Sequence, residues 1–215
     1  MVDLSTPGWR TSNSVDYRRS DGFRHDTGFE IWNASSNHAL EMLGSTYSVL
    51  LGFTNKRFGA FDFYSPGLNI PSKEWTPTGF GSVRTGYLVS SLLVEPSIYY
   101  RHHDDKFMFD IRTPNQYVNI HHDESYGGRI FGTLRLANAG VVVGRIEDGA
   151  DQITSSNLGD HGRSLVSTFV NANYSATELI HFDGGLRYDV RSMYGSQLNP
   201  TAGINVVLQG RGKIL

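Results

Sequence analysis

The chain has 215 residues, among them 24 Gly, 11 Tyr, 12 Phe and no Cys, and a formal net charge of −2 with only 19% charged residues. Both signs are scattered along its length, so it offers no basic face to nucleic acid and no acidic tail. The missing cysteine excludes disulfides, thiolate metal sites and cysteine nucleophiles, and apolar runs that stop at three residues exclude a transmembrane helix, which needs ~20.

What organises the chain instead is a period of two. In a membrane-spanning strand successive side chains face lipid and lumen in turn, giving ~10-residue segments of alternating polarity. In chain order, a short turn is expected near Ser35 to His38, and Ala39 to Leu43 is too short to hold a helix alone. Tyr47, Val49, Leu51 and Phe53 then alternate with Thr46, Ser48, Leu50 and Gly52. A long connection is expected over residues 60 to 80, where Pro66, Pro71 and Pro77 stiffen a segment that carries Tyr64, Glu74 and Trp75. Aromatics in stiff loops anchor ligands; the competing reading of Trp75 is a girdle residue at the membrane interface.

Alternating runs follow at Val83 to Leu93 and Phe107 to Ile111, although Tyr87 to Glu95 passes from one strand toward the next without an obvious turn. A long connection over 111 to 118 precedes a strand in which Ile130, Gly132, Leu134 and Leu136 oppose Arg129, Phe131, Thr133 and Arg135. Ala137 to Asn138 reads as a short turn and 151 to 163 as a long one, before the run Val166 to Tyr174 and a short turn at Ser175 to Thr177. The clearest segment sets Ile180, Phe182, Gly184, Leu186, Tyr188 and Val190 against His181, Asp183, Gly185, Arg187, Asp189 and Arg191. After a long connection at 194 to 200, Asn199-Pro200 marks the start of a last run, Ala202 to Leu208. The fold expected is all-β: an antiparallel transmembrane β-barrel of roughly ten strands, with short periplasmic turns and long extracellular loops. A soluble sandwich also alternates with period two. Glu178 to Tyr194, however, outruns the ~5 to 6 residues of a usual soluble strand, and its second face is filled with charge.

Five segments carry a resemblance: SDGFRHDTGFE from Ser20, GFTNKRFGAFDFYSP from Gly52, YYRHHDDKFMF from Tyr99, SSNLGDHGR from Ser155 and GGLRYDVRSMYGSQLNPTAG from Gly184. In this order they resemble the barrel of TonB-dependent outer-membrane receptors, the branch of cobalamin and siderophore receptors in particular. The resemblance implies an N-terminal plug that couples to TonB, a terminal aromatic residue and a barrel of about 22 strands. None of these is visible, and the N-terminus shows no secretory signal. A single barrel domain over 1 to 215 is therefore expected, as a central portion, a reduced relative or an engineered form, with TonB as a partner only if a plug is supplied.

The densest polar cluster is His102, His103, Asp104 and Asp105, followed by His121, His122, Asp123 and Glu124. Imidazole and carboxylate suit zinc or iron. Adjacent histidines of a strand point to opposite faces, however, so only one of each pair can share a site. The favoured reading is solvated side chains at the membrane rim, with no metal and no cofactor. A hydrolase reading takes Ser155 or Ser156 as nucleophile, His161 as base and Asp160 as orienter, but the glycine-flanked nucleophile turn is missing, and no residue is assigned as catalytic. The function expected is a bacterial outer-membrane receptor for a scarce small-molecule nutrient, a ferric siderophore or a corrinoid. Outer-membrane lipid is its other partner, and nucleic acid is not one. Tyr64, Glu74, Trp75, Asn119, His121, Asn157 and His161 are its candidate ligand contacts, borne on extracellular loops. Arg129, Arg135, His181, Asp183, Arg187, Asp189 and Arg191 are its candidate lumen residues. The alternatives are a passive pore or structural barrel and, further off, an outer-membrane hydrolase.

Overall fold

The computed structural model describes residues 1–137, 139–207 and 213–214. The chain is all-β, and among the described residues there is no helix. Its strands are β1 (Val2–Thr6), β2 (Trp9–Ser20), β3 (Phe29–Met42), β4 (Ser45–Gly59), β5 (Lys73–Thr85), β6 (Tyr87–Val89), β7 (Leu92–Met108), β8 (Val118–Leu136), β9 (Gly140–Ser155), β10 (Gly159–Ser175), β11 (Ile180–Arg191), β12 (Gly195–Val207) and β13 (Lys213–Ile214). They hydrogen-bond in chain order from β1 to β13, except that the short β6 leaves the path and pairs with β7. Such nearest-neighbour order follows from short connections between antiparallel strands.

The strands fall into two compact units. The first comprises Met1–Val83, Tyr99–Tyr126 and Asp151–Gly162. Within it β2 pairs with β3 from Trp9↔Leu40 to Ser20↔Phe29, and β3 with β4 from Phe29↔Phe58 to Met42↔Ser45. That register sets Val15, Ala34 and Phe53 in one row, with Tyr17 against Trp32 on the same face at 4.3 Å between ring centroids. The other face holds Asp16, Asn33 and Thr54, joined by Asn33 Nδ2 donating to Asp16 (3.2 Å) and Thr54 Oγ1 donating to Asn33 Oδ1 (2.6 Å).

The second unit comprises Arg84–Ile98, Gly127–Ala150 and Arg163–Leu215. Here β10 pairs with β11 from Leu165↔Arg191 to Ser175↔His181, and β11 with β12 from Ile180↔Val206 to Arg191↔Gly195. Val170, Leu186 and Pro200 share one face, and Phe169, Arg187 and Asn199 the other. The Arg187 guanidinium grips Asp189 through two bonds, at 2.8 and 3.0 Å.

A soluble sheet buries its apolar face; this one exposes it. Val15 is 69% and Ile204 67% exposed, whereas Ser167 is fully buried. Among the described residues the only buried apolar side chains are Ala60, Phe61 and Pro71, while Thr11, Ser65, Ser72, Ser155 and Ser167 are buried polar ones. The polarity is inverted throughout, and such a sheet suits an apolar medium on its greasy side.

Several sequence expectations are corrected. Ten long strands, β2–β5 and β7–β12, match the roughly ten expected, and the short β1, β6 and β13 are added among the described residues; β2 and β3 carry Ser, Thr and Asn runs that hide their alternation. Ser35 to His38 is no turn but the middle of β3, where Ser35 meets the Ser14 hydroxyl (2.7 Å) and Ser36 donates to Asn13 (2.6 Å). The connections expected over 151 to 163 and 194 to 200 shrink to three residues each, 156–158 and 192–194, because β9, β10 and β12 extend into them. Asn199-Pro200 therefore lies inside β12, with Pro200 opposite Leu186. β12 is paired on its far side only at Val206 and Val207 among the described residues, and an edge strand tolerates a residue with no N–H. The expected run Phe107 to Ile111 straddles the end of β7, and the long connection 60 to 80 stops at Lys73, where β5 begins. The turn missing from Tyr87 to Glu95 is Ser90-Ser91, with Ser90 at φ 57° between the paired Val89 and Leu92. Asn138 and Leu208, at the edges of two expected elements, lie outside the described residues.

After β8 the chain turns tightly, with Ala137 at φ 44° and the Ala139 N–H donating to the Leu136 carbonyl at 2.9 Å. The Ala139 carbonyl in turn accepts from the Ser175 N–H at 2.7 Å, which brings the next residue, Gly140, against β10. A Cβ there would run into the Asn173 carbonyl, whose strand is locked by pairing with Asp183. Gly140→Ala is expected to destabilise the fold by ~1–3 kcal/mol, whereas Gly79→Ala, whose Cβ would meet nothing within 4 Å, leaves it unchanged. Denaturant unfolding in detergent checks this, and equal midpoints would refute it.

Candidate ligand site

The connection from β4 to β5, residues 60 to 72, is held down rather than loose. Asp62 accepts from the Gly67 and Asn69 N–H groups, both at 2.9 Å, and these bonds, Gly67's first, keep its carboxyl below the ordinary carboxylate range. The buried Ser72 donates to the Phe109 carbonyl at 2.6 Å, and the Ala60 N–H donates to the Ser72 carbonyl at 2.8 Å. This places the Tyr64 ring edge-on to Phe63 (4.9 Å) and Phe107 (4.8 Å), with its hydroxyl donating to Glu74 Oε2 at 2.7 Å. Burial first, and the Glu74 carboxylate second, push the phenol up to about 12. In the next connection Arg112 clasps Asp110 at 2.7 to 3.1 Å and holds that carboxyl low.

Tyr64 and Glu74 stand beside a set of strand residues on one polar face of the first unit. Thr78 Oγ1 lies 2.6 Å from His103 Nδ1, so Thr78 and Glu74 of β5 share a face with His103, Asp105 and Phe107 of β7. The Phe109 N–H donates to the Tyr117 carbonyl. Counted back along the two strands, that pairing sets Asp105 opposite His121 and His103 opposite Asp123, with Asn119 on the same side. Asp105 Oδ1 and His121 Nδ1 are buried without a hydrogen-bond partner. Such orphaned polar atoms are costly unless something else bonds them. A row of rings, Tyr64, Phe107, Phe109 and Tyr117, runs alongside with centroid spacings of 4.8, 6.5 and 5.9 Å. The face thus combines an aromatic wall with alternating acid and imidazole, suited to a ligand with aromatic and ionic groups.

Of the candidate ligand contacts, Tyr64 and Asn157 occupy connections, whereas Glu74, Trp75, Asn119, His121 and His161 lie on strands and not on loops. The strands reach further because their outer halves are polar on both faces and so read as loop. Trp75 also parts from Glu74, since adjacent strand residues face opposite ways. Its indole donates to Asn55 at 2.6 Å and lies under Arg57 at 5.0 Å, on the face that carries Phe53. Asn157 Oδ1 accepts from Ser155 Oγ at 2.8 Å, His161 Nε2 lies 2.7 Å from the Leu158 carbonyl, and Ser156 Oγ accepts from the Ile120 N–H at 2.9 Å. Neither serine is bonded to His161, so the hydrolase trio is not assembled.

Period two puts the candidate lumen residues on the polar face of their strands. Arg129 Nε donates to Ser97 at 3.0 Å, His181 Nδ1 lies 2.9 Å from Ser175 Oγ, and Asn205 donates to Asp183 at 3.4 Å. Arg187 and Asp189 pair with each other, and Arg135 and Arg191 are exposed. Phe107 escaped the sequence reading as a ligand-site residue. No local signal marked it, since its place beside Tyr64 and on the face of Asp105 follows from the β7 strand and its pairing.

No protein-family model and no curated protein matches the sequence. Solved structures do match. The chain is similar to the siderophore receptor PirA from Pseudomonas aeruginosa, with a TM-score of 0.74, 12% identity and coverage of 96% of this chain and 35% of that one. It is similar also to the FrpB iron transporter from Neisseria meningitidis, with a TM-score of 0.74, 13% identity and coverage of 95% and 40%. The RagAB peptide importer in its open-open state gives 0.63, 11%, 95% and 32%. At such identities the likeness is one of fold, and the chain spans well under half the length of each of these structures.

Because the Tyr64 phenol is raised, the protonated Tyr64–Glu74 contact contributes fully below the ordinary tyrosine value of 10.0 and is lost as pH rises through about 12. Near-ultraviolet tyrosinate titration of the folded protein minus that of Tyr64→Phe isolates this residue. The difference curve is expected to centre at about 12 and to move toward 10.0 in Glu74→Gln. A midpoint unaffected by Glu74→Gln would show that the pair does not form.

Proposed function

We propose that the chain supplies barrel strands of a bacterial outer-membrane receptor that captures a scarce nutrient, a ferric siderophore or a corrinoid. The observation that carries this reading is the inverted polarity of the strands within each unit, which leaves Phe53 in the first, and Leu186 and Ile204 in the second, on an exposed greasy face with ions on the other. In lipid only fully bonded strands or helices are tolerated, and an apolar belt on the outside with polar groups within is the pattern of a spanning barrel. Fold likeness to a siderophore receptor and an iron transporter supports the nutrient class.

In this reading the ligand meets the polar face of Tyr64, Glu74, Asn119 and His121 with Phe107 beside it, and the orphaned Asp105 and His121 atoms are the groups it satisfies. Asn157 and His161 flank the approach. Arg129, Arg135, His181, Asp183, Arg187, Asp189 and Arg191 line the lumen, where a wet, charged wall guides an ionic ligand. The sequence resemblance implies that coupling to TonB requires a plug, so energised passage belongs to a chain that has one.

Two measurements test the reading. Trp9 stacks beside His38 across β2 and β3, and it, Trp32 and Trp75 all stand on the apolar face, so acyl-chain-brominated lipid is expected to quench the tryptophan fluorescence of the reconstituted chain. Unquenched emission would refute the membrane placement. Binding of a panel of ferric siderophores and cobalamin is expected to weaken ~10-fold or more in His121→Ala and in Glu74→Gln, as loss of a hydrogen bond to a charged group implies. Steady open conductance in liposomes with no binding to the panel would replace the receptor by a passive pore.

A further inference from the structure

The other face of the same β7–β8 hairpin carries a second cluster. Along β7 the apolar face reads Leu92, Val94, Pro96, Ile98 and Tyr100, and then changes character to His102 and Asp104. Along β8 it reads Leu136, Leu134, Gly132, Ile130, Gly128 and Tyr126, and then Glu124 and His122. The register that pairs Phe109 with Tyr117 sets Tyr100 opposite Tyr126, His102 opposite Glu124, and Asp104 opposite His122. Two tyrosines thus face each other across the hairpin, and a square of two imidazoles and two carboxylates follows them along the same face.

We propose that His102, Asp104 and His122 form a binding site for a divalent transition cation of the zinc class, on the face of the hairpin opposite to Asp105 and His121. His122 Nδ1 lies 2.5 Å and His102 Nε2 3.0 Å from the same oxygen, Asp104 Oδ1. One donor atom from each of the three residues falls within 4.8 Å of the others, close enough for a single ion to be shared. Two imidazoles and a carboxylate suit zinc and its neighbours, whereas magnesium and calcium prefer all-oxygen sets.

The surroundings fit that assignment. With Nε2 turned to the site, His102 directs its other nitrogen toward Glu124 Oε1 at 3.7 Å, and this Nδ1 is buried with no hydrogen-bond partner. Glu124 is itself held by the Tyr100 hydroxyl, which donates to Oε1 at 2.7 Å. A carboxylate behind a ligating histidine fixes its tautomer and strengthens it as a donor. Three protein ligands leave a coordination position for water or an incoming anion. The assignment does not rest on the receptor reading, because neither the ligand face nor a plug enters it.

Zinc titration calorimetry on the folded 215-residue chain in detergent, with cobalt as a spectroscopic stand-in, tests it. One zinc per chain is expected, and cobalt bands in the visible are expected to vanish on adding zinc. Loss of an outer-shell partner lowers metal affinity ~10- to 100-fold, so Glu124→Gln is expected in that range and Asp104→Asn and His122→Ala beyond it. His103→Ala and His121→Ala, on the opposite face, should leave zinc binding unchanged. Heat-modifiable gel migration verifies that each variant is folded, and Asp104→Asn, nearly isosteric, stands in should His122→Ala fail that check. Absence of zinc binding, equal affinity in Asp104→Asn, or loss in the opposite-face variants would each overturn the proposal.

Discussion

The structure depends on one constraint: every backbone N–H and C=O along strands of up to 19 residues must find its partner in the strand beside it. Once that ladder is made, side chains alternate between two faces. In water the apolar face of such a sheet needs a second layer to cover it, and within each unit no second layer exists among the described residues. Ala60 and Phe61 do not amount to a core. The ladder therefore carries the fold, and the medium must supply the cover. In hydrocarbon an unmade backbone hydrogen bond has no water to turn to, which makes the ladder more cooperative than it would be in a soluble sheet.

The polar face plays a different part. Its ion pairs, such as Arg187 with Asp189 or Arg18 with Asp16 at 2.8 Å, are partly exposed, and pairs of that kind contribute only about 0–1 kcal/mol each. They do not hold the strands together. What they do is make a charged wall tolerable beside an apolar one, and so free that face for chemistry. This is why buried polar atoms without partners, at Asp105 and His121, mark a place of interest. A network that need not stabilise the fold can leave a bond unmade where a ligand is to make it.

How far the sequence could be read follows from the same division. β11 was legible residue by residue, since Ile180 to Arg191 alternates apolar with charged or polar almost without exception. β3 was not: Asn33, Ser35 and Asn37 on one face meet Ser36 and His38 on the other, and the residue types that serve a hydrophilic face are those that favour turns. The same ambiguity turned the polar ends of β9, β10 and β12 into long loops and lifted Trp75 out of β5. Tyr64 and Glu74 were both placed in one supposed loop, whereas their bond joins a connection to a strand. Phe107 and Asp105 could be placed at the site only once the β7–β8 register was known, because long-range pairing is not written in local composition.

The two histidine pairs show what strict alternation can do with a short polar run. His102 and His103 are neighbours in sequence, as are His121 and His122, and as pairs they resemble one metal-binding tract. The ladder separates them. Register sends His102 and His122 to the face that bears Tyr100 and Ile98, and His103 and His121 to the face that bears Phe107. On the first they meet across Asp104 within bonding distance of one oxygen; on the second, His103 is engaged by Thr78 while His121 keeps a buried nitrogen without a partner. A single hairpin thus presents two chemically related sites that share no side chain. A one-residue slip in register would exchange their faces, so the same pairing that completes the backbone ladder also fixes which chemistry lies on which face.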